Sequence, residues 1–272
     1  MNAPKLSPKL LSQLRTTTLN AAHAAGAVLE KYFTRRLDIR EKPQAGLVTD
    51  ADMGAEKAAM KLLKKAYPDF GFLTEESHPE DITHPNTPGR WILDPLDGTT
   101  NFVHRFPMFC VSLALELEGK ILMGVIYNPI LKDTYFAQKN AGATLNGRKI
   151  QVSKTRSLSA SLLTTGFSTS QKNEKSISDQ LSVFRSLSLQ TRGIRRPGSA
   201  AMDLAYTARG VFDGFWERKL SPWDVAAGYL LVEEAGGQVT DFSGGAFKVN
   251  GGQITASNGK IHKALIKEMR GI

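Results

Sequence analysis

Two carboxylates, Asp94 and Asp97, stand three positions apart in the run WILDPLDGTTNF, from Trp91 to Phe102. Gly98, Thr99 and Thr100 follow at once, so acids, hydroxyls and a flexible backbone share one short stretch. Trp91, Ile92 and Leu93 form an apolar strand that needs burial. That predicts Asp94 just past the strand end, where α/β architectures place ligands. Pro95 fixes one backbone angle, and Asp97-Gly98 marks a tight turn. Such a mouth suits divalent cations held against a phosphate. The competing reading is a polar turn with helix-capping acids, because Asp-Pro and Asp-Gly pairs are common in turns. The longer segment, and acids elsewhere in the chain, favour the site.

Those other acids repeat one pattern: a carboxylate just after an apolar strand or at a helix start. Glu75 and Glu76 follow Phe72-Leu73, Asp224 follows Trp223, and Asp50 and Asp52 precede a helix. Those at helix starts read singly as caps favoured by the helix dipole, Asp52 above all, with Asp224 open between cap and ligand. Together they crowd one cleft if the strand ends converge, and like charges repel strongly at low dielectric. Cations would neutralise them. An all-oxygen donor set favours Mg²⁺, Mn²⁺ or Ca²⁺ over Zn²⁺, and no Cys/His cluster has zinc spacing. Two Mg²⁺ ions about 4 Å apart would activate water and steady the leaving oxygen of an in-line displacement.

The elements that must position these groups are legible as patterns. Leu11, Leu14, Ala22, Ala25 and Leu29 mark a helix from about Leu11 to Phe33, with His23 as a structural residue. A second helix is expected from about Asp52 to Lys65, with Met53, Glu56, Met60 and Leu63 following at helical offsets and Pro68 as its stop. Val111, Leu113, Leu115 and Leu117 alternate along one strand, and Ile121, Met123, Val125 and Tyr127 along the next, joined by a hairpin at Glu118-Gly119-Lys120. Asn146-Gly147 is a further hairpin signal. Strands and helices alternate after about Gln151, with Ser199 capping a helix from Ala200 and Asp224 starting another. An antiparallel α+β unit over 1–150 and an α/β unit over 151–272 is the expected division.

The chain has 272 residues, 41% hydrophobic and 22% charged, an ordinary globular composition with ample material for a core. Its 35 basic and 26 acidic residues leave a formal charge of +9, which suits anionic partners without choosing among them. Cys110 is the single cysteine and lies in an apolar strand, so it reads as a core residue, and a reducing compartment is expected. No stretch approaches membrane-span length and no leader-like apolar run opens the chain; a cytoplasmic location is the expectation.

Four segments closely resemble the inositol monophosphatase family, of the bacterial type: EES at Glu75, WILDPLDGTTNFVHRFP from Trp91 to Pro107, GSAAMDLAYTARG from Gly198 to Gly210, and SPWDVAAGYLLVEEAGG from Ser221 to Gly237. The similarity extends from about Leu19 to Ala264. It implies a five-layer αβαβα sandwich, shared with fructose-1,6-bisphosphatase, and Mg²⁺-dependent, Li⁺-sensitive hydrolysis of a phosphate monoester. The resemblance assigns Glu75, Asp94 and the carbonyl of Leu96 to a first Mg²⁺, and Asp94, Asp97 and Asp224 to a second. Glu75 would also serve a loosely bound third ion. Glu75 and Thr99 would position and deprotonate the attacking water, with Asp52 supporting the Thr99 hydroxyl. Gly98 and Thr99 would offer N–H groups to the phosphate, as at a helix N-terminus.

Substrate contacts follow from the same resemblance: Glu217 and Asp224 at a ring hydroxyl, and Gly198, Ser199, Ala200 and Ala201 through their backbone. Lys42 resembles a basic residue of a mobile loop, in a charged stretch that also reads as solvated surface. Glu217 reads alternatively as a surface strand residue. Arg195 and Arg196 are compatible with a phosphate, a subunit contact or nothing special, and together with Arg192 they permit contact with RNA or an RNA-bound complex. The expected substrate is myo-inositol 1-phosphate or another polyol phosphate, with fructose 1,6-bisphosphate, histidinol phosphate, NADP or a 3′-phosphonucleotide as alternatives. The family also implies a homodimer. Some bacterial members act with RNA polymerase in antitermination and in ribosome assembly, a partner role that the +9 charge permits.

Overall fold

The structure, a computed structural model, describes residues 7–35, 39–42, 46–77, 87–167 and 174–269. Helix α1 (Pro8–Phe33) starts at Ser7, whose side chain accepts from the Leu10 N–H, with Pro8 at the first helical position. Strands β1 (Ile39–Lys42) and β2 (Gly46–Thr49) pair as an antiparallel ribbon that leads directly into α2 (Asp50–Ala66). The two helices pack together through small side chains. Leu14, Ala21, Ala22, Ala25 and Leu29 of α1 and Ala51, Ala55, Ala59 and Leu63 of α2 share one core. Met53, expected on the inner stripe of α2, is instead 46% exposed, and the buried face runs through Ala51, Asp52, Ala55 and Glu56. Two carboxylates therefore lie on the inner side of this helix, which hydropathy alone does not anticipate.

The first sheet takes its strands in chain order: β3 (Gly71–Thr74), β4 (Gly89–Asp97), β5 (Cys110–Leu117), β6 (Lys120–Asn128), β7 (Asp133–Gln138), β8 (Gly142–Leu145) and β9 (Arg148–Lys149). The β3–β4 pair is parallel and the rest are antiparallel. Strand β4 runs further than its apolar residues suggest. The register shifts between Asp94, opposite Ser112, and Asp97, opposite Cys110. That irregularity accommodates Pro95, which has no N–H to give a ladder. Both acids are thus part of the strand rather than beyond its end. A second irregularity pairs Leu115 with Met123 but Glu116 with Ile121, so β6 carries one extra residue. Ile121 turns to the opposite face from Met123 and Val125, contrary to simple alternation.

Helix α3 (Thr99–Val103) follows β4 after Gly98, whose φ of 98° is left-handed. A second sheet, in the order β11-β10-β12-β14-β13, is built from β10 (Leu162–Thr165), β11 (Gly193–Arg195), β12 (Gly214–Arg218), β13 (Gln238–Thr240) and β14 (Gln253–Ser257). Its helices are α4 (Glu174–Ser188), α5 (Ala200–Ala208), α6 (Pro222–Glu234) and α7 (His262–Met269). Helices α5 and α6 lie between the sheets, and one core joins Ile92, Ala114 and Ile126 of the first to Phe215, Ile254 and Ala256 of the second through Leu204, Leu230 and Leu231. The outer face of the second sheet is closed by Val183 and Leu187 of α4 and Leu265 and Met269 of α7. Among the described residues the layers are therefore helix, sheet, helix, sheet, helix, as the resemblance implied. No helix among them is long and apolar enough to cross a membrane.

Candidate active site

The acids Glu75, Asp94, Asp97 and Asp224 come from three places in the fold, the end of β3, β4 and the start of α6. Glu75 follows the end of β3, and its N–H donates to the Leu93 carbonyl, which fastens that end to β4. Asp94 and Asp97 come from β4. Asp224 is the third residue of α6, which begins two residues earlier than its acid suggested because Pro222 suits a first helical position. Ser221 N–H donates to Asp224 Oδ2 at 2.7 Å. Asp94 Oδ1 accepts from Leu96 N–H at 2.9 Å. One oxygen of Asp97, Oδ2, accepts both from the Ser199 hydroxyl at 2.6 Å and from the Ala201 N–H at 2.7 Å.

Their electrostatics show a shared environment. Burial pushes Asp94 well above the usual carboxylate range, and the charges of Glu75, Asp97 and Asp224 push it the same way. Burial likewise raises Asp224, reinforced by Asp97 and Glu75. Asp97 rises to about 6 through burial, against the opposing effect of its Ser199 and Ala201 hydrogen bonds. Like charges gathered without a counter-charge leave each carboxylate harder to ionise. A divalent cation reverses that sign.

No three acidic, His or Cys side chains among the described residues close into a finished ligand set. Mutual repulsion and this open arrangement are different measures: charges interact across a cleft, whereas ligation needs oxygens converging on one point. Asp94 and Asp224 each hold their N–H partner through one oxygen. Mg²⁺ needs only a few carboxylates, completing its shell with water and substrate phosphate. The donor set fits a hard, oxygen-seeking divalent cation.

Thr99, at the start of α3, directs its hydroxyl between Asp52 Oδ1 at 3.2 Å and the Leu96 carbonyl at 3.1 Å. Asp52 also completes the capping box of α2, whose N-cap is Thr49: its Oδ2 accepts from the N–H and hydroxyl of Thr49 at 2.8 and 2.6 Å. Capping and support of Thr99 are therefore compatible, one on each oxygen. Burial raises Asp52, opposed by the Thr49 bonds.

The segment Gly198–Ala201 opens α5 against Asp97, with Ser199 Oγ also capping the helix through Met202 N–H. Glu217, on β12, is pushed up to about 8 by burial and by the Asp97 charge, with Arg196 opposing. The Gly166 backbone passes so close to the Glu217 carboxyl that a side chain there would collide with it. Arg196 lies over the Phe167 ring and donates to its carbonyl, whereas Arg195 turns to the carbonyl of Ile194. Of the arginines, Arg196 is thus the one whose charge reaches Glu217. The side chain of Lys42 lies outside the described residues.

Several contributors carry no motif signal. Ser112, opposite Asp94, donates to the Trp223 carbonyl at 2.9 Å, which ties the first sheet to the residue before Asp224. Asn101 donates to Met108 O at 2.6 Å and Pro197 O at 2.8 Å, which joins α3 to the segment before Ser199. Asp203 is fully buried, with Oδ1 accepting from Thr164 at 2.8 Å and Oδ2 without a partner. Burial raises it well above the ordinary range. Glu56 accepts from the Glu76 N–H at 3.1 Å and from the Ser77 hydroxyl at a shorter distance. Cys110 sits buried beside Ser199, and burial pushes its thiol up, which suits packing rather than nucleophilic attack.

The chain matches the inositol monophosphatase family over residues 10–272. It is 42% identical to an inositol-1-monophosphatase from Synechocystis over 263 residues, 96% of this chain and 90% of that one. It is also 42% identical to Nus factor SuhB from Pseudomonas aeruginosa over 250 residues, 91% and 92% of the two chains. The crystal structure of extragenic suppressor protein SuhB from Bartonella henselae superposes with a TM-score of 0.89 at 42% identity, covering 96% of this chain and all of that one. This layered fold is that of the Mg²⁺-dependent phosphate monoester hydrolases related to fructose-1,6-bisphosphatase. Within that class the chain belongs to the inositol monophosphatase family.

Proposed function

We propose that the protein hydrolyses myo-inositol 1-phosphate, or a closely related polyol phosphate, at the cleft formed by β3, β4, α3 and α6. The observation that supports this most directly is that Asp94, Asp97 and Asp224 are all raised by burial and all feel the charge of Glu75, so the four acids lie within reach of one another. In this reading Glu75, Asp94 and the Leu96 carbonyl hold one Mg²⁺, Asp94, Asp97 and Asp224 a second, and Glu75 helps with a third. When bound, the ions supply Lewis acidity and charge neutralisation.

The chain's own groups do the rest. The single proton of the Thr99 hydroxyl points toward Asp52 or Leu96, which leaves a lone pair for a water proton. Glu75 and Thr99 thereby orient the attacking water, and Glu75 takes its proton. The N–H groups of Gly98 and Thr99 donate to the phosphate. Glu217 and Asp224 receive ring hydroxyls. Ser199 and Ala201 steady Asp97 at the same time as their segment borders the ring. Water attacks phosphorus directly, with no phosphoenzyme, as the bond from phosphorus to the ester oxygen breaks; that oxygen leaves as the alcohol on taking a proton from solvent water. We include inhibition by Li⁺, a homodimeric assembly and a cytoplasmic location in the same reading.

A panel of phosphate esters with and without Mg²⁺, and with Li⁺ added, tests it. The reading expects Mg²⁺-dependent, Li⁺-inhibited release that is fastest for inositol monophosphate. Preference for fructose 1,6-bisphosphate or a nucleotide would replace the substrate, and metal-independent release would remove the reading. The identity with Nus factor SuhB supports a second role, as a partner in a transcription complex. A salt-dependent pull-down of transcription proteins that survives Asp97→Asn would favour that role. Loss of that pull-down together with phosphate release in the same variant would favour catalysis.

A further inference from the structure

Helix α2 carries two buried carboxylates one turn apart, Asp52 and Glu56, each 1% exposed. Residues at this spacing share a helix face. Asp52 faces Thr99, and Glu56 faces the turn that follows β3. The Glu56 carboxylate grips that turn at two points: Oε2 accepts from the Glu76 N–H at 3.1 Å and Oε1 accepts from the Ser77 hydroxyl. Glu75 is the residue immediately before this grip, and its own N–H is tied to the Leu93 carbonyl at 3.2 Å. The backbone is thus pinned on both sides of the Glu75 side chain, by β4 before it and by α2 after it.

A carboxylate buried in a helix that packs against α1 through alanines is a costly choice for a surface-turn anchor. Two charge-assisted hydrogen bonds offset the burial. Position is what such a bidentate clamp delivers. We infer that Glu56 is a positioning residue that fixes the direction of Glu75 toward the cation cleft, and that α2 braces both the Glu75 turn and Thr99 as one rigid body. This rests on the proposed role of Glu75, and it adds a residue that touches neither phosphate nor cation.

Groups that orient metal ligands from outside are worth about 10- to 100-fold in metal affinity or activity. The test uses the full chain in three variants, Glu56→Ala, Glu56→Gln and Ser77→Ala, with Met53→Ala as an exposed control on the same helix. Amide hydrogen exchange at Glu75–Ser77 is followed in the metal-free protein, and Mn²⁺ binding is titrated by calorimetry. Glu56→Ala is expected to speed exchange of the Glu76 amide and weaken Mn²⁺ binding about 10- to 100-fold. It should lower kcat while KM stays within about twofold, as expected when a contact is missing only from the reacting state. Glu56→Gln keeps an acceptor for the Glu76 N–H and recovers most of both signals. Ser77→Ala gives a smaller change of the same kind and serves as the reporter should Glu56→Ala fail to fold. Met53→Ala changes neither.

Faster unfolding of Glu56→Ala or Ser77→Ala with unaltered Glu76 exchange and Mn²⁺ binding would overturn the inference and leave only a stability role. Failure of the phosphatase reading would look different: the unaltered protein would release no phosphate with Mg²⁺. The exchange and Mn²⁺ measurements would still decide the role of Glu56.

Discussion

One oxygen of Asp97 accepts from both Ser199 and Ala201, a neutral hydroxyl and a backbone N–H on a different element from its own. These bonds favour the ionised carboxylate against the burial that disfavours it. Removing the charge and removing its support should therefore separate. Asp97→Asn is expected to lower Mg²⁺-dependent phosphate release by at least about 10²-fold with an unchanged circular dichroism spectrum, since it alters a proposed ligand. Ser199→Ala leaves the ligand and loses one of its two donors, so a loss of about 10-fold with a higher Mg²⁺ requirement is expected. Asp97→Asn retaining most activity would dismiss the assignment. Thr99→Ala should reduce kcat about 10²-fold with little effect on KM, which steady-state kinetics on the preferred ester would read.

Elements place these residues through features of uneven visibility. The Asp94–Asp97 run is legible in the chain because Pro, Gly and two acids in fixed spacing leave few alternatives. So is the capping of α2 and α6 by Asp52 and Asp224, where short acidic side chains at the third helical position reach back to the preceding N–H. What the pattern of apolar residues misses are contacts between distant segments. Glu56, Asn101, Ser112 and Asp203 are polar residues whose partners lie many positions away, and local periodicity contains no term for them. The bulge that turns Ile121 over is invisible for a related reason, since it is set by pairing between strands. Close approach between layers is equally hidden. At Gly124 a side-chain carbon would lie 2.8 Å from the Cα and 2.9 Å from the carbonyl oxygen of Ala227, three residues beyond Asp224. Gly124→Val should push α6 from the sheet. About 1–3 kcal/mol of stability is expected to go, measured by denaturant titration, together with activity as Asp224 is displaced. Normal activity would show that α6 tolerates the shift.

Across the whole molecule, a chain of net positive charge brings several acids within reach of one another. The formal +9 suits anionic partners, and in the proposed reading cations neutralise the acids before a phosphate enters. Stability should report that neutralisation. Asp97 at about 6 and Glu217 at about 8 hold more protons in the folded than in the unfolded chain. Their contribution to metal-free stability is therefore greatest below the ordinary carboxylate range near pH 4 and is lost as pH rises through about 6 and 8. A cation binding the ionised form acts in the opposite sense. At one fixed concentration, a hundredfold above its Kd at pH 8, Mg²⁺ should raise Tm by about 5 °C at pH 8 and by much less at pH 5.5, where protonated carboxylates weaken binding, checked by thermal scans at both values. An equal shift at both pH values would mean that the ions bind somewhere other than these carboxylates.

The arrangement of the cleft can be seen directly by anomalous diffraction from a crystal soaked in Mn²⁺. Ion peaks are expected between β4 and the start of α6, with oxygens of Glu75, Asp94, Asp97 and Asp224 about 2.0–2.3 Å away, the range of hard divalent cations. Peaks elsewhere on the surface, with Asp94, Asp97 and Asp224 still directed to their internal hydrogen bonds, would contradict this arrangement.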